Sequence, residues 1–300
     1  MTDALIRPGL LTTLRELGEL KRVRTARRSG SIAERAFRRD WRLLVGGRSI
    51  DQAMRESVFK LLAASRLGDL DIETLVALGL RVSEAIAVQR SGVADMSAGL
   101  PGAIVSMVAS VEPQADHETR DSDFVDRLAS QPRAGVTCPG LQRLLFEPAE
   151  NHAEHCAIVA LYGVLLAPAY GADPATVWLA SMSHHLHNAF MPDSGFSGEM
   201  LLGEHLEPLM QRATTLCLDQ LPAALAEKVR VARRILPDVA SPEGRAFHAA
   251  DTLDRVWQID QHLRPGQVTL DFVLNDMALV HAGPVKMFQD DLLREAGLLA

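Results

Sequence analysis

Apolar residues recur through the first ninety positions at three- and four-residue spacing. Leu10, Leu11, Leu14, Leu17 and Leu20 form one stripe, with Arg15, Glu16, Glu19 and Lys21 between them, which predicts an amphipathic helix. Gly30 interrupts that pattern, and a second helical segment over 32–44 closes at Gly46-Gly47. Segments 51–65 and 71–89 continue the series, the latter opened by Asp71 as a cap with Glu73 in its first turn. No strand-like alternation of useful length is present. Residues 103–111 (AIVSMVASV) fit a short strand or a buried helix, and the charged stretch 112–123, with Pro113 near its start, predicts a loop.

Helical periodicity resumes beyond residue 141. One helix is predicted over 151–166, stopping before Pro168. Asp173-Pro174 supplies a cap and a first-turn proline for a helix reaching residue 187. A loop with Pro192, Gly195 and Gly198 follows, then helices over 199–206, 208–218, 222–235, 242–262, 270–281 and 284–296. The Ser, Gly, Pro and acidic enrichment of 91–140 divides the chain into an N-terminal helical domain, 1–135, and a second domain, 136–300.

Composition narrows the class. With 300 residues, 47% hydrophobic and 5% aromatic, the chain has the content of a globular protein packed through aliphatic helices, which excludes a disordered or collagenous chain. The apolar run 157–169 contains Gly163 and Pro168 and falls short of the roughly 20 residues a spanning helix needs. No secretory leader is visible, and Cys138, Cys156 and Cys217 read as reduced core residues, so a cytoplasmic, membrane-free protein is expected. The net charge of −7 argues against nucleic acid as a partner. Residues 1–48 nevertheless carry 12 Lys/Arg against 5 Asp/Glu, a basic face suited to an acidic partner or to the acidic remainder of the chain in a homodimer.

Histidine changes the picture most, because eight of ten lie between His152 and His262. Glu150-Asn151-His152-Ala153-Glu154-His155 opens one helix, His184-His185-Leu186-His187-Asn188 ends the next, and Phe247 to Asp254 with Asp251 lies inside a third. Imidazole and carboxylate groups projecting from facing helices are how helical bundles build metal sites. Imidazole suits zinc, iron, copper or nickel, and carboxylate extends the choice to manganese and magnesium.

This order of groups resembles the HD-domain metal-dependent phosphohydrolases, nearest to the bacterial 5′-deoxynucleotidases of that superfamily. Over residues 140–262 the resemblance implies an all-α, HD-like helical bundle binding one divalent ion (Zn, Fe, Mn, Co or Ni) and hydrolysing a phosphorylated small molecule, nucleotides included. It implies His155, His184, His185 and Asp251 as metal ligands, Asp193 as a further acid of the site, and Arg143 as the phosphate-contacting arginine. His185 stands where the family has the aspartate of a His-Asp pair, and Asn188 where the deoxynucleotidases place a catalytic Glu. Asn188 can orient a water but cannot take its proton. Two alternatives therefore stand beside the hydrolase. One is an HD-type di-iron oxygenase drawing on His205, His187 or His248; the other is a degenerate HD-like sensing or scaffold module. Arg212 and Arg245 are further phosphate candidates by proximity in sequence. GxxxxGK[ST], GxGxxG and GxSxG motifs are missing, which removes the corresponding nucleotide-binding and serine-hydrolase readings.

Overall fold

A computed structural model describes residues 6–26, 28–113, 121–264, 269 and 286–295. Among the described residues the architecture is all-α, with three isolated β-bridges and no strand. The chain begins with α1 (Pro8–Leu17), a 3-10 turn (Gly18–Lys21), α2 (Ile32–Val45) and α3 (Ile50–Leu67). The stripe read from the leucines is the buried face: Leu10, Leu14, Leu17 and Leu20 are each at most 3% exposed. Ser31 caps α2 by accepting from the Glu34 amide at 3.1 Å. The expected helix over 71–89 is two helices, α4 (Ile72–Ala77) and α5 (Val82–Met96). Gly79 separates them at φ +105°, a conformation no helix accommodates. Residues 103–111 resolve as helix rather than strand, in α6 (Gly102–Ala109), and α7 (Asp123–Ser130) follows. The loop expected over 112–123 falls largely outside the described residues.

The centre of the fold is α8 (His152–Tyr170), buried at every position from His152 to Ala167. A helix apolar all round is a core helix, and α8 packs against α2, α3, α7 and α9 (Pro174–Ser183). By length and composition α8 is also long and apolar enough to cross a membrane, but in this fold its sides are occupied by other helices. It runs past Pro168, where an earlier stop was expected. The proline lies in the last turn, so its missing N–H costs one bond at an end where few remain, and the Gly171 amide closes the helix on Ala167 and Pro168 carbonyls. Asp173 caps α9 through the Thr176 amide at 2.9 Å, and Pro174 occupies the first helical position, as the sequence implied.

The remaining helices are α10 (Gly195–Leu202), α11 (Leu206–Leu218), α12 (Ala223–Ala232), α13 (Pro242–Leu263) and α14 (Lys286–Glu295). The glycines expected in a loop, Gly195 and Gly198, instead belong to the first turn of α10. The helix expected over 270–281 lies outside the described residues. All three cysteines are free; Cys156 and Cys217 are core residues, whereas Cys138 is exposed, contrary to expectation.

The packing does not divide the chain at 135/136. Residues 1–257 form one compact unit and 258–300 a second. The reason is α8 itself. Helices from the first half, α2, α3 and α7, supply the surfaces that bury it, so described residues on both sides of 135 share one core.

Candidate metal centre

The sequence Glu150-Asn151-x-x-Glu154-His155 has a plain structural role before it has a chemical one. Asn151 accepts from the Glu154 amide at 2.9 Å, and Glu154 accepts from the Asn151 amide at 3.0 Å, a reciprocal capping box that starts α8. The cap fixes the first turn and with it His152 and His155, both 0% exposed. The next turn of site residues comes from the C-terminal end of α9 and the 3-10 turn Leu186–Ala189, where the chain places His184, His185 and Asn188. From α13 come Asp251 and Asp254, three apart and therefore on one helical face.

Three imidazoles converge. His155, His184 and His185 each offer a ring nitrogen within 4.8 Å of the others. In each, Nδ1 is engaged elsewhere. His155 Nδ1–H donates to Asp254 Oδ2 at 2.7 Å, His184 Nδ1–H to the Ser181 carbonyl at 2.6 Å, and His185 Nδ1–H to Asn188 Oδ1 at 2.8 Å. The Asn188 amide orientation follows from its Nδ2, which donates to the Met191 carbonyl at 3.3 Å. With Nδ1 as the donor, Nε2 carries a lone pair in any of these rings that is neutral. Nε2 of His155 and of His184 lie 3.1 Å apart, and Asp251 Oδ1 is 3.1 Å from the former and 4.0 Å from the latter.

Lone pairs facing one another at that distance need a proton or a cation between them. Two nitrogens bound to one tetrahedral ion at about 2.0–2.1 Å sit roughly 3.3 Å apart, so the spacing fits a shared ion. Burial, reinforced by the neighbouring His155, pushes His184 down to about 3. Burial also pushes His185 well below the ordinary imidazole range, with His184 and His152 adding to it. Both therefore stay neutral, the form that ligates. Burial would raise Asp251, but the neighbouring His155, His184 and Arg255 side chains hold its carboxyl below the usual carboxylate range. Asp251 remains 18% exposed and His185 is half-buried, whereas His155 is enclosed.

A second acidic group nearby is already satisfied. Glu150, His155 and Asp254 also gather within 4.8 Å, but Lys21 Nζ lies 2.8 Å from Glu150 Oε1 and 2.7 Å from Asp254 Oδ1. The ammonium is the cation of that group. Arg133 Nη1 pairs with the other Glu150 oxygen at 3.2 Å, held there by the Arg133 amide bonding the Glu150 carbonyl at 2.8 Å. Burial works against the Arg133 charge, yet Glu150, Asp254, Asp251 and Asp193 together raise its pKa.

The other expected site residues take different places. Asn188 is 6% exposed and its amide is spent on His185 and the Met191 carbonyl, so it orients a ring rather than a water. Asp193 accepts the Ala134 amide on Oδ2 and the Gly195 amide on Oδ1, both at 2.9 Å, pinning 134 to the start of α10. Its Oδ2 lies 3.6 Å from His152 Nε2. His152 has no hydrogen-bond partner for either nitrogen among the described residues, and burial lowers it to about 2. Arg143 is exposed and donates to the Ser194 carbonyl at 3.2 Å, and Arg212 and Arg245 are exposed as well. His205 is exposed, and the convergent group contains none of His187, His205 and His248. Lys21, Arg133 and Asp254 were not singled out from the sequence. The i, i+3 spacing of Asp251 and Asp254 was a legible signal for the last, whereas Lys21 sits 233 residues from the carboxylate it meets.

Searches against protein-family models, curated proteins and solved structures give no match for this chain.

Proposed function

We propose that this chain is an HD-like, metal-dependent phosphohydrolase, with His155, His184, His185 and Asp251 holding one divalent ion. The observation that carries the reading is the convergence of the His155, His184 and His185 rings, each oriented by its own Nδ1 acceptor, with Asp251 Oδ1 at 3.1 Å from His155 and 4.0 Å from His184. Outer partners of this kind fix tautomer and ring direction at metal centres. A bound divalent ion lowers the pKa of water and polarises a phosphoryl oxygen. The chain's own residues bind and orient. Lys21 and Arg133 balance Glu150 and Asp254, which leaves Asp251, with Arg255 at 3.6 Å from its Oδ2, as the carboxylate that faces the converging rings. Arg255 Nη1, 3.6 Å from Asp251 Oδ2, reaches the ligand set, whereas Arg133 pairs with Glu150 and the exposed Arg143 with the Ser194 carbonyl. Asp193, whose Oδ2 lies 3.6 Å from His152 Nε2, is the remaining acid-base candidate.

The engagement of Asn188 with His185 favours a second reading, a metal-binding module without turnover, because the position that should activate water is spent on orientation. Elemental analysis of the purified protein, followed by a phosphomonoester screen with added Mn, Co, Ni, Zn and Fe, separates the two. One ion per chain and metal-dependent phosphate release support the hydrolase. One ion without turnover supports the module, and two irons per chain an oxygenase. His155→Ala, His184→Ala and Asp251→Ala should each lose the ion while keeping helical circular dichroism. Unchanged metal content in all three defeats the assignment.

A further inference from the structure

The N-terminal 3-10 turn contributes a side chain whose burial has no simple packing explanation. Lys21 is 3% exposed, and its ammonium bonds one oxygen of Asp254 at 2.7 Å and one of Glu150 at 2.8 Å. A buried ion pair is weak support for stability, since apolar residues of similar volume often serve as well. What the pair does here is divide the Asp254 carboxylate. Lys21 takes Oδ1, and Oδ2 is left for His155 Nδ1 at 2.7 Å. Asp254 is itself 1% exposed, so both oxygens are shut off from bulk solvent. His155 is the innermost of the converging rings, and Asp251, three residues before Asp254 on α13, faces its opposite nitrogen at 3.1 Å.

We propose that Lys21 is a positioning residue of the metal centre, acting through Asp254 to fix the tautomer and direction of His155. The proposal rests on the metal-binding reading above and extends the centre into a segment with no ligand of its own. Tertiary packing delivers Lys21 to this place. The Leu10, Leu14 and Leu17 stripe buries α1, and Tyr162 of α8 donates its hydroxyl to the Leu14 carbonyl at 2.5 Å, registering α1 against the helix that carries His155. The role differs from that of a ligand. Lys21 offers no lone pair to the ion and touches none of the ligands directly. Without the ammonium, the Asp254 carboxylate is free to turn about its own axis, and His155 Nδ1 loses an acceptor fixed in direction.

The test is a cycle of metal affinities in the full chain, measured with Zn(II) and Co(II) against a chromophoric chelator. Lys21→Met keeps the stem and removes the charge; Asp254→Asn keeps the shape and removes the carboxylate. Each is expected to weaken metal binding by roughly 10–100-fold, the range found for outer partners of metal ligands. The visible Co(II) spectrum should shift in both, because the direction of one ligand changes. The double variant should bind no more weakly than Asp254→Asn alone, since Lys21 acts only through that carboxylate. Three outcomes overturn the proposal: a folded Lys21→Met protein with wild-type affinity, independent addition of the two effects, or an unchanged Co(II) spectrum. Should Lys21→Met not fold, Asp254→Asn decides, because unchanged affinity there leaves Lys21 nothing to transmit. A wild-type chain that binds neither ion defeats the metal reading itself, a different result from any of these.

Discussion

Gly163 offers a test of how closely the core and the metal centre are tied. It lies on α8 two turns beyond His155, where α8 meets α9. A Cβ placed there would lie 2.6 Å from Val177 Cγ1, with Ser181 Oγ at 3.5 Å. Carbon atoms in contact prefer about 3.5–4.0 Å, so the helices must part by roughly 1 Å or Val177 must turn. Val177 is 0% exposed, and a β-branched side chain in a helix has one strongly preferred rotamer, which closes the second route. Overpacking of this kind costs about 1–3 kcal/mol, while alanine gains about 1 kcal/mol over glycine in a helix interior. The net expectation for Gly163→Ala is a loss of about 0–2 kcal/mol, or up to roughly 8 °C in Tm for a unit of this size. The displacement also reaches the centre, because Ser181, one turn beyond Val177, carries the carbonyl that orients His184. Metal affinity should fall about tenfold, as for other disturbed outer partners. Thermal unfolding by circular dichroism and metal titration read the two effects, and Val177→Ala in the same chain should restore affinity by removing the methyl in the way. A Gly163→Ala protein that is more stable than wild type by the propensity gain alone, with unchanged metal affinity, would refute the argument.

Two further outcomes follow from the site. Asn188→Ala should leave the helical content intact and weaken metal binding by about tenfold, because His185 loses the acceptor that fixes its ring; affinity equal to wild type would remove Asn188 from the centre. The metal-free protein should lose stability as pH falls from about 6.5 toward 4. Burial, with the nearby Arg233 charge, holds His187 down at about 4 in the fold, so over that window the unfolded chain binds the extra proton and stability rises with pH. Urea unfolding at several pH values in the presence of chelator should show a shallower slope for His187→Leu; an identical slope would assign the acid sensitivity to other groups.

Much of the helix inventory was readable because its signals are local. Asp71 and Asp173 cap the helices they were expected to open, and the Leu10 to Leu20 stripe is the buried face. Gly79 splits a segment whose apolar period continues across it, and Pro168 sits too near the end of α8 to stop it. The convergent histidines were legible as a set because each lies at a helix end or on a defined face. The roles of Asn188 and Asp193 were not, since both side chains are claimed by partners whose positions depend on tertiary turns: His185 and Met191 for one, Ala134 and Gly195 for the other.

The order of residues sufficed for an all-α chain and for the caps that start its helices, because periodicity and capping are properties of residues close in sequence. It did not suffice for the unit boundary or for the support of the site. Whether residues 1–135 stand apart depends on what covers α8, and α8 is apolar on every side, so helices from both halves are needed to bury it. In the same way Lys21 became part of the His155 environment only when α1 docked on Tyr162. A contact spanning 233 residues leaves no trace in spacing, because it arises from packed surfaces rather than from the chain's own period.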